Sequence, residues 1–149
     1  MVIKKKINFS ELVKLTNLTE NHGISKIVDI SLAKNKQQTL RALNDNIFSP
    51  EDMIIIVRSY LMKSKRLLRL ATELEKNKDI DQVISSSKPP IFWKDKDIVK
   101  KQLKFWTRES TTELIQNINK IELQIKKNTG SSLNILHDFI IEQSSKASI

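Results

Sequence analysis

Ser49-Pro50-Glu51-Asp52, followed by Met53-Ile54-Ile55-Ile56-Val57-Arg58-Ser59-Tyr60-Leu61-Met62-Lys63-Ser64-Lys65-Arg66-Leu67-Leu68-Arg69-Leu70-Ala71-Thr72-Glu73-Leu74-Glu75-Lys76, is the stretch on which the fold turns. Ser49 is a cap, Pro50 stands at the first helical position, and Glu51 and Asp52 put negative charge beside the helix N-terminus. Met53, Val57, Tyr60, Ser64, Leu67, Ala71 and Leu74 recur at alternating spacings of four and three. Ile54, Leu61 and Leu68 widen that stripe. Such a seam belongs to a helix packed in a bundle or against a neighbouring chain. Its opposite side carries Arg58, Lys63, Lys65, Arg66 and Arg69, a set that reads as a solvated face or as a contact for a polyanion.

Outward from this helix the same period recurs. Ser10 can cap a short helix to about Asn17, followed by a polar break to Gly23. Ile24, Ile27, Val28 and Leu32 predict a helix over 24–34. Leu40, Leu43 and Ile47 predict another over 36–48, all three facing inward. A short helix is expected at 80–85, then a helix from about Asp95 to Trp106 with Val99, Leu103 and Trp106 on one side. Thr107 caps a long helix to Lys127, with Leu114, Ile118, Ile121 and Ile125 in its seam. Gly130 is placed to close it in a left-handed position. Ser131 or Ser132 starts a last helix carrying Leu133, Leu136, Phe139 and Ile140. The tail 144–149 is expected to fray.

Composition agrees with an all-α bundle of six to eight helices. In 149 residues there are only two glycines and three prolines, too few turn formers for a sandwich or barrel. The absence of cysteine excludes a disulfide framework, a thiolate zinc site and a thiol nucleophile. No apolar run nears the roughly 18 residues of a membrane span, and Met1-Val2-Ile3-Lys4-Lys5-Lys6 lacks the apolar core of a signal peptide. A soluble, cytoplasmic protein is expected. The net charge of +9 permits a polyanionic partner, although only five of the 26 basic residues are arginine, which argues against base-specific reading.

Catalytic patterns are not evident. Gly23 and Gly130 are too far apart to build a phosphate loop. His22 and His137, the latter beside Asp138, read as surface histidines more readily than as metal ligands. The chain is expected to need no cofactor and to be no enzyme on its own.

Lys88-Pro89-Pro90-Ile91-Phe92-Trp93-Lys94 interrupts the helical pattern, because paired prolines stop a helix. Phe92, Trp93 and, further on, Trp106 are candidate structural anchors that plug the core or fix the link between two halves. This block, with Lys96-Asp97 and Gln102-Leu103 up to Trp106, resembles the C-terminal part of the DNA polymerase III delta subunit, the bacterial clamp-loader component, in its alphaproteobacterial form. Ile27-Val28-Asp29 with Leu40-Arg41-Ala42-Leu43 is similar to the helical pair that opens the delta collar domain. Ser49-Pro50 with Arg66-Leu67-Leu68-Arg69-Leu70 resembles its long second element. Ile121-Glu122-Leu123-Gln124-Ile125-Lys126 with Gly130 looks like the family's Glu-Leu-x-x-Lys helix and closing glycine. The resemblance covers about residues 24–143.

What the resemblance implies is a collar domain over 21–143, preceded by a remnant of a lid domain in 1–20 and followed by the tail 144–149. The family's amino-terminal ATPase-like domain, which grips the sliding clamp, has no counterpart, so a fragment, a split gene product or a decayed gene is expected. A polymerase label would belong to the holoenzyme. Implied partners are the other clamp-loader subunits, gamma/tau and delta prime, with DNA contacted weakly or indirectly and no membrane. Some relatives carry an aromatic before the closing glycine that could stack on a base; here Thr129 stands there and cannot. The candidate subunit interface is the apolar residue set left over once the core is satisfied: Ile54, Leu61 and Leu68, with Ile115 and Leu123 beside the later seam. The alternative is a self-standing basic helical protein that binds nucleic acid through Arg58, Lys65, Arg66 and Arg69.

Overall fold

The computed structural model describes residues 23–128 and 130–145. Within them the chain is all-helical, with no strand. Residues 23–32 form α1. It is followed by α2 (Lys36–Asp45), α3 (Pro50–Asn77), α4 (Ile80–Ser85), a 3-10 turn (Trp93–Asp95), α5 (Lys96–Leu103), α6 (Arg108–Lys127) and α7 (Ser132–Ser144). The expected helix at 10–17 and the lid remnant at 1–20 lie outside the described residues.

Local chemistry sets the helix starts. The Ser49 hydroxyl accepts from the Asp52 N–H (3.2 Å) while the Asp52 carboxylate accepts from the Ser49 N–H (2.8 Å), so two otherwise unpaired donors are satisfied reciprocally. Thr107 and Ser110 repeat the arrangement ahead of α6 (2.9 and 3.1 Å). α1 ends on Lys34 in the left-handed region (φ 61°), where Lys34 N–H reaches Ser31 O and Asn35 N–H reaches Ile30 O. That is a Schellman ending built on a non-glycine residue.

α3 is the axis of the bundle. It packs against α4, α5, α6 and α7, most extensively against α6; α7 in turn holds α2 and α6. The seam from Met53 to Ala71 is buried as its spacing requires, with Leu74 half-buried at its end. A second buried line, Ile56, Lys63 and Leu70, runs beside it. The widened core stripe is therefore Met53, Ile56, Val57, Tyr60 and onward, the three-of-seven pattern of a helix surrounded by neighbours. Ile54 instead is exposed, and Leu61 and Leu68 are half-buried at the edge.

Several expectations are corrected. α2 stops at Asp45, not Phe48, because Asn46 turns extended and its side-chain amide donates to Ala42 O (2.6 Å), capping a free carbonyl. Ile47 is consequently fully exposed and Leu40 partly so, leaving Leu43 as the inward apolar residue of that trio. The closing conformation expected at Gly130 hinges on Thr129, which lies outside the described residues. α6 closes at Asn128, whose backbone N–H and side-chain amide both donate to Gln124 O (2.9 and 3.2 Å). Leu133 points partly to solvent, while Leu136, Phe139 and Ile140 are buried. Ser144, expected to fray, is buried and donates to Ile141 O (2.7 Å). Ser145 is half-buried and its hydroxyl donates to Ile141 O (3.0 Å); residues 146–149 lie outside the described residues.

Tyr60 ties α3 to α1. The Ser31 hydroxyl, which reaches Val28 O (2.9 Å), also shares a hydrogen bond with the Tyr60 phenol. The ring also meets Phe139 edge-on, with centroids 5.2 Å apart. Burial pushes the phenol's pKa well above its ordinary value of 10.0, and the bond to Ser31 only partly opposes this. The unfolded chain therefore gives up this proton first, so stability falls as pH rises past 10. The expected slope is up to about 1.4 kcal/mol per pH unit. Tyr60 is the single tyrosine. Urea midpoints followed from about pH 8 to 11 should show the loss in the wild type, and Tyr60→Phe should remove that slope.

Candidate interaction surface

A buried ion pair joins α1 to α3 and sets which cations of α3 face inward. Asp29 on α1 meets Lys63 on α3, with Nζ 2.6 Å from Oδ2 and both side chains nearly nine-tenths buried. Lys63 also donates to Ser25 O (3.2 Å). From α5, the Gln102 amide donates to Asp29 O (3.0 Å) and to its carboxylate (3.2 Å). The Arg66 guanidinium lies 3.9 Å from the same carboxylate. Burial lowers the Lys63 pKa, and the adjacent carboxylate opposes that shift. One carboxylate thus holds three elements in register. Lys63 and Arg66 belong to this interior junction rather than to a solvated face, which removes Arg66 from the expected nucleic-acid set.

Trp106 supplies a second pin. Its ring is buried, its indole N–H donates to Leu32 O near the end of α1 (2.7 Å), and Lys34 Nζ sits 4.2 Å over the ring. The helix expected to run to Trp106 ends at Leu103, yet the Trp106 N–H still reaches Gln102 O (3.2 Å), which keeps the ring in step with Val99 and Leu103. Phe92 and Trp93 are not core plugs. Ile91 is buried in their place, and the two rings stand 57% and 69% exposed. Ile91 and Phe92 are successive residues ahead of the turn, so their side chains point apart, and Trp93 opens the 3-10 turn with its side chain exposed.

With Lys63 turned inward, the outer side of α3 is defined. Ile54, Arg58, Met62, Lys65 and Arg69 are all exposed, at spacings of four, four, three and four, so they form one stripe. Ile54 is 49% and Met62 68% exposed. The stripe mixes two apolar side chains with three cations. Leu61 packs against the edge of the core. Leu68 joins Arg69 in lining a groove of about 460 Å³ between α3 and the segment following α4. On α6, Ile115 is half-buried and Leu123 is exposed. Met62 was legible in the sequence through this same spacing, but methionine's frequent role as core filler hid it.

A wider groove, about 640 Å³, runs between α1 and the 3-10 turn. Ile30, Phe92 and Ile98 give it apolar walls, and Lys26, Lys94, Asp29 and Asp95 its charge. His137 meets Phe48 edge-on with centroids 6.1 Å apart. Among the described residues no three His, Cys, Asp or Glu side chains converge as a metal site, and no helix is long and apolar enough to cross a membrane. No family model, curated protein or solved structure matches the chain.

Proposed function

We propose that the chain is a non-catalytic helical assembly module of the kind that forms the collar of the bacterial clamp loader, corresponding to the C-terminal part of the DNA polymerase III delta subunit. In that role it works in the cytoplasm during DNA replication. Its partners are the gamma/tau and delta-prime subunits, and DNA is met weakly or indirectly. The family assignment is supported by the order of the sequence motifs over residues 24–143. The observation that carries an assembly role is the outer stripe of α3, where Ile54 and Met62 lie exposed on the longest helix of the bundle. Apolar side chains repeated along a rigid helix give a partner helix a surface to bury.

The cations on the same stripe, Arg58, Lys65 and Arg69, favour a second reading, a basic helical protein that binds nucleic acid through them. A double substitution separates the two. Ile54→Glu with Met62→Glu should weaken capture of gamma/tau or delta prime by about tenfold or more, through loss of apolar burial. Far-UV circular dichroism should not change, because both side chains are exposed. Capture that is unaffected by the double substitution, or absent in the wild type, overturns the assembly reading of this stripe.

A further inference from the structure

The assembly role leaves one feature of the molecule unused: the aromatic pair at the 3-10 turn. Phe92 and Trp93 are adjacent rings, centroids 5.9 Å apart and 51° between planes, both more than half exposed. Elsewhere the bundle buries such rings when it can, as it does Trp106 and Tyr60. Lys94 Nζ lies 5.4 Å from the centre of the Trp93 ring. Lys94 and Lys26 line the same groove as Phe92, and Lys96 opens α5 immediately after the turn. None of these three lysines is ion-paired with a described residue, whereas Lys100 nearby is held by Asp81 (2.9 Å).

Opposing charge is present and limited. Asp29 and Asp95 line the groove, but Asp29 is already neutralised by Lys63, and Asp97 lies further along α5. Free cations therefore exceed free carboxylates around the rings. An apolar protein surface laid over Phe92 and Trp93 would have to desolvate Lys26 and Lys94 with only Asp95 in the groove to offset the two charges. A phosphate backbone pairs them, and its bases offer flat faces to the rings. Stacking on exposed aromatics with lysines tracking the backbone is the chemistry of single-strand binding without sequence preference.

We infer that Phe92 and Trp93, with Lys26, Lys94 and Lys96, form a stacking platform for single-stranded nucleic acid. The site is separate from the outer stripe of α3 and does not depend on the collar reading.

Fluorescence tests it, because of the two tryptophans only Trp93 is exposed. The full chain is titrated with oligothymidylate and oligouridylate of about 12 nucleotides, and with a duplex of the same length. Both single strands should quench the emission, the duplex much less. Affinity should fall steeply between about 50 and 200 mM salt. Trp93→Ala should weaken single-strand binding by about tenfold, measured by anisotropy of a labelled strand, and Trp93→Phe should retain most of it. The two single strands differ only in sugar and base methyl, so a large preference for one names the natural source. No binding, equal binding of duplex, or undiminished binding by Trp93→Ala overturns the inference. So does emission that shifts only on addition of gamma/tau or delta prime, which would make the pair a protein contact.

Discussion

Asp29→Ala should destabilise the protein by about 3–5 kcal/mol, because it leaves the Lys63 ammonium buried without its counter-charge. Nothing else near Lys63 supplies an anion of equal proximity: its remaining hydrogen bond is to the Ser25 carbonyl, and Arg66 adds a like charge. Against a total stability of about 5–15 kcal/mol, such a loss brings the chain close to unfolding. Asp29→Asn should cost nearly as much, since the shape is kept and the cation remains. Replacing both partners, Asp29→Leu with Lys63→Met, should be far milder, because no charge is left to desolvate. Urea unfolding followed by circular dichroism measures all three. A loss below about 1 kcal/mol for Asp29→Ala would mean that Lys63 reaches water and that the pair is worth no more than a surface ion pair.

Trp106→Ala should cost a similar amount, about 3–5 kcal/mol, through the cavity left by a large buried ring. It also strips Leu32 O of its donor and Lys34 of the ring beneath its ammonium. Trp106→Phe should recover most of the packing and leave about 1–3 kcal/mol, the cost of an unsatisfied carbonyl. The exposed Trp93 is the internal control: Trp93→Ala should change stability by no more than about 0.5 kcal/mol. Equal losses at the two tryptophans, read from thermal unfolding, would contradict the burial that separates them.

The contrast between those tryptophans marks where the sequence stops speaking. Trp106 lies three residues past Leu103, where α5 ends, but its N–H still reaches Gln102 O (3.2 Å), so the period of Val99 and Leu103 carries to it and its burial follows. Phe92 precedes and Trp93 opens the 3-10 turn, where residue type says core but only Ile91 is buried. Helix starts were legible because capping is local: Ser49 with Asp52, and Thr107, announce α3 and α6 within four residues. Helix ends were less so. Asn46 ends α2 by bonding its own chain, and Asn128 rather than Gly130 closes α6. The buried pair was illegible for a different reason. A lysine and an arginine among other cations read as a solvated face, and only the fold brings Asp29 and Gln102 to them. Once Lys63 and Arg66 are moved inside, the remaining outward residues of α3 fall into one stripe, and Met62 joins Ile54 on it.

The assembly proposal is tested most directly by sedimentation velocity of the full chain mixed with gamma/tau and delta prime at about 0.1 and about 0.5 M salt, where surface charge is largely screened at the higher value. Assembly through apolar helix faces predicts a faster-sedimenting complex of similar population at both salts. A chain that sediments alone at both salts, or a complex that exists only at low salt, would contradict it.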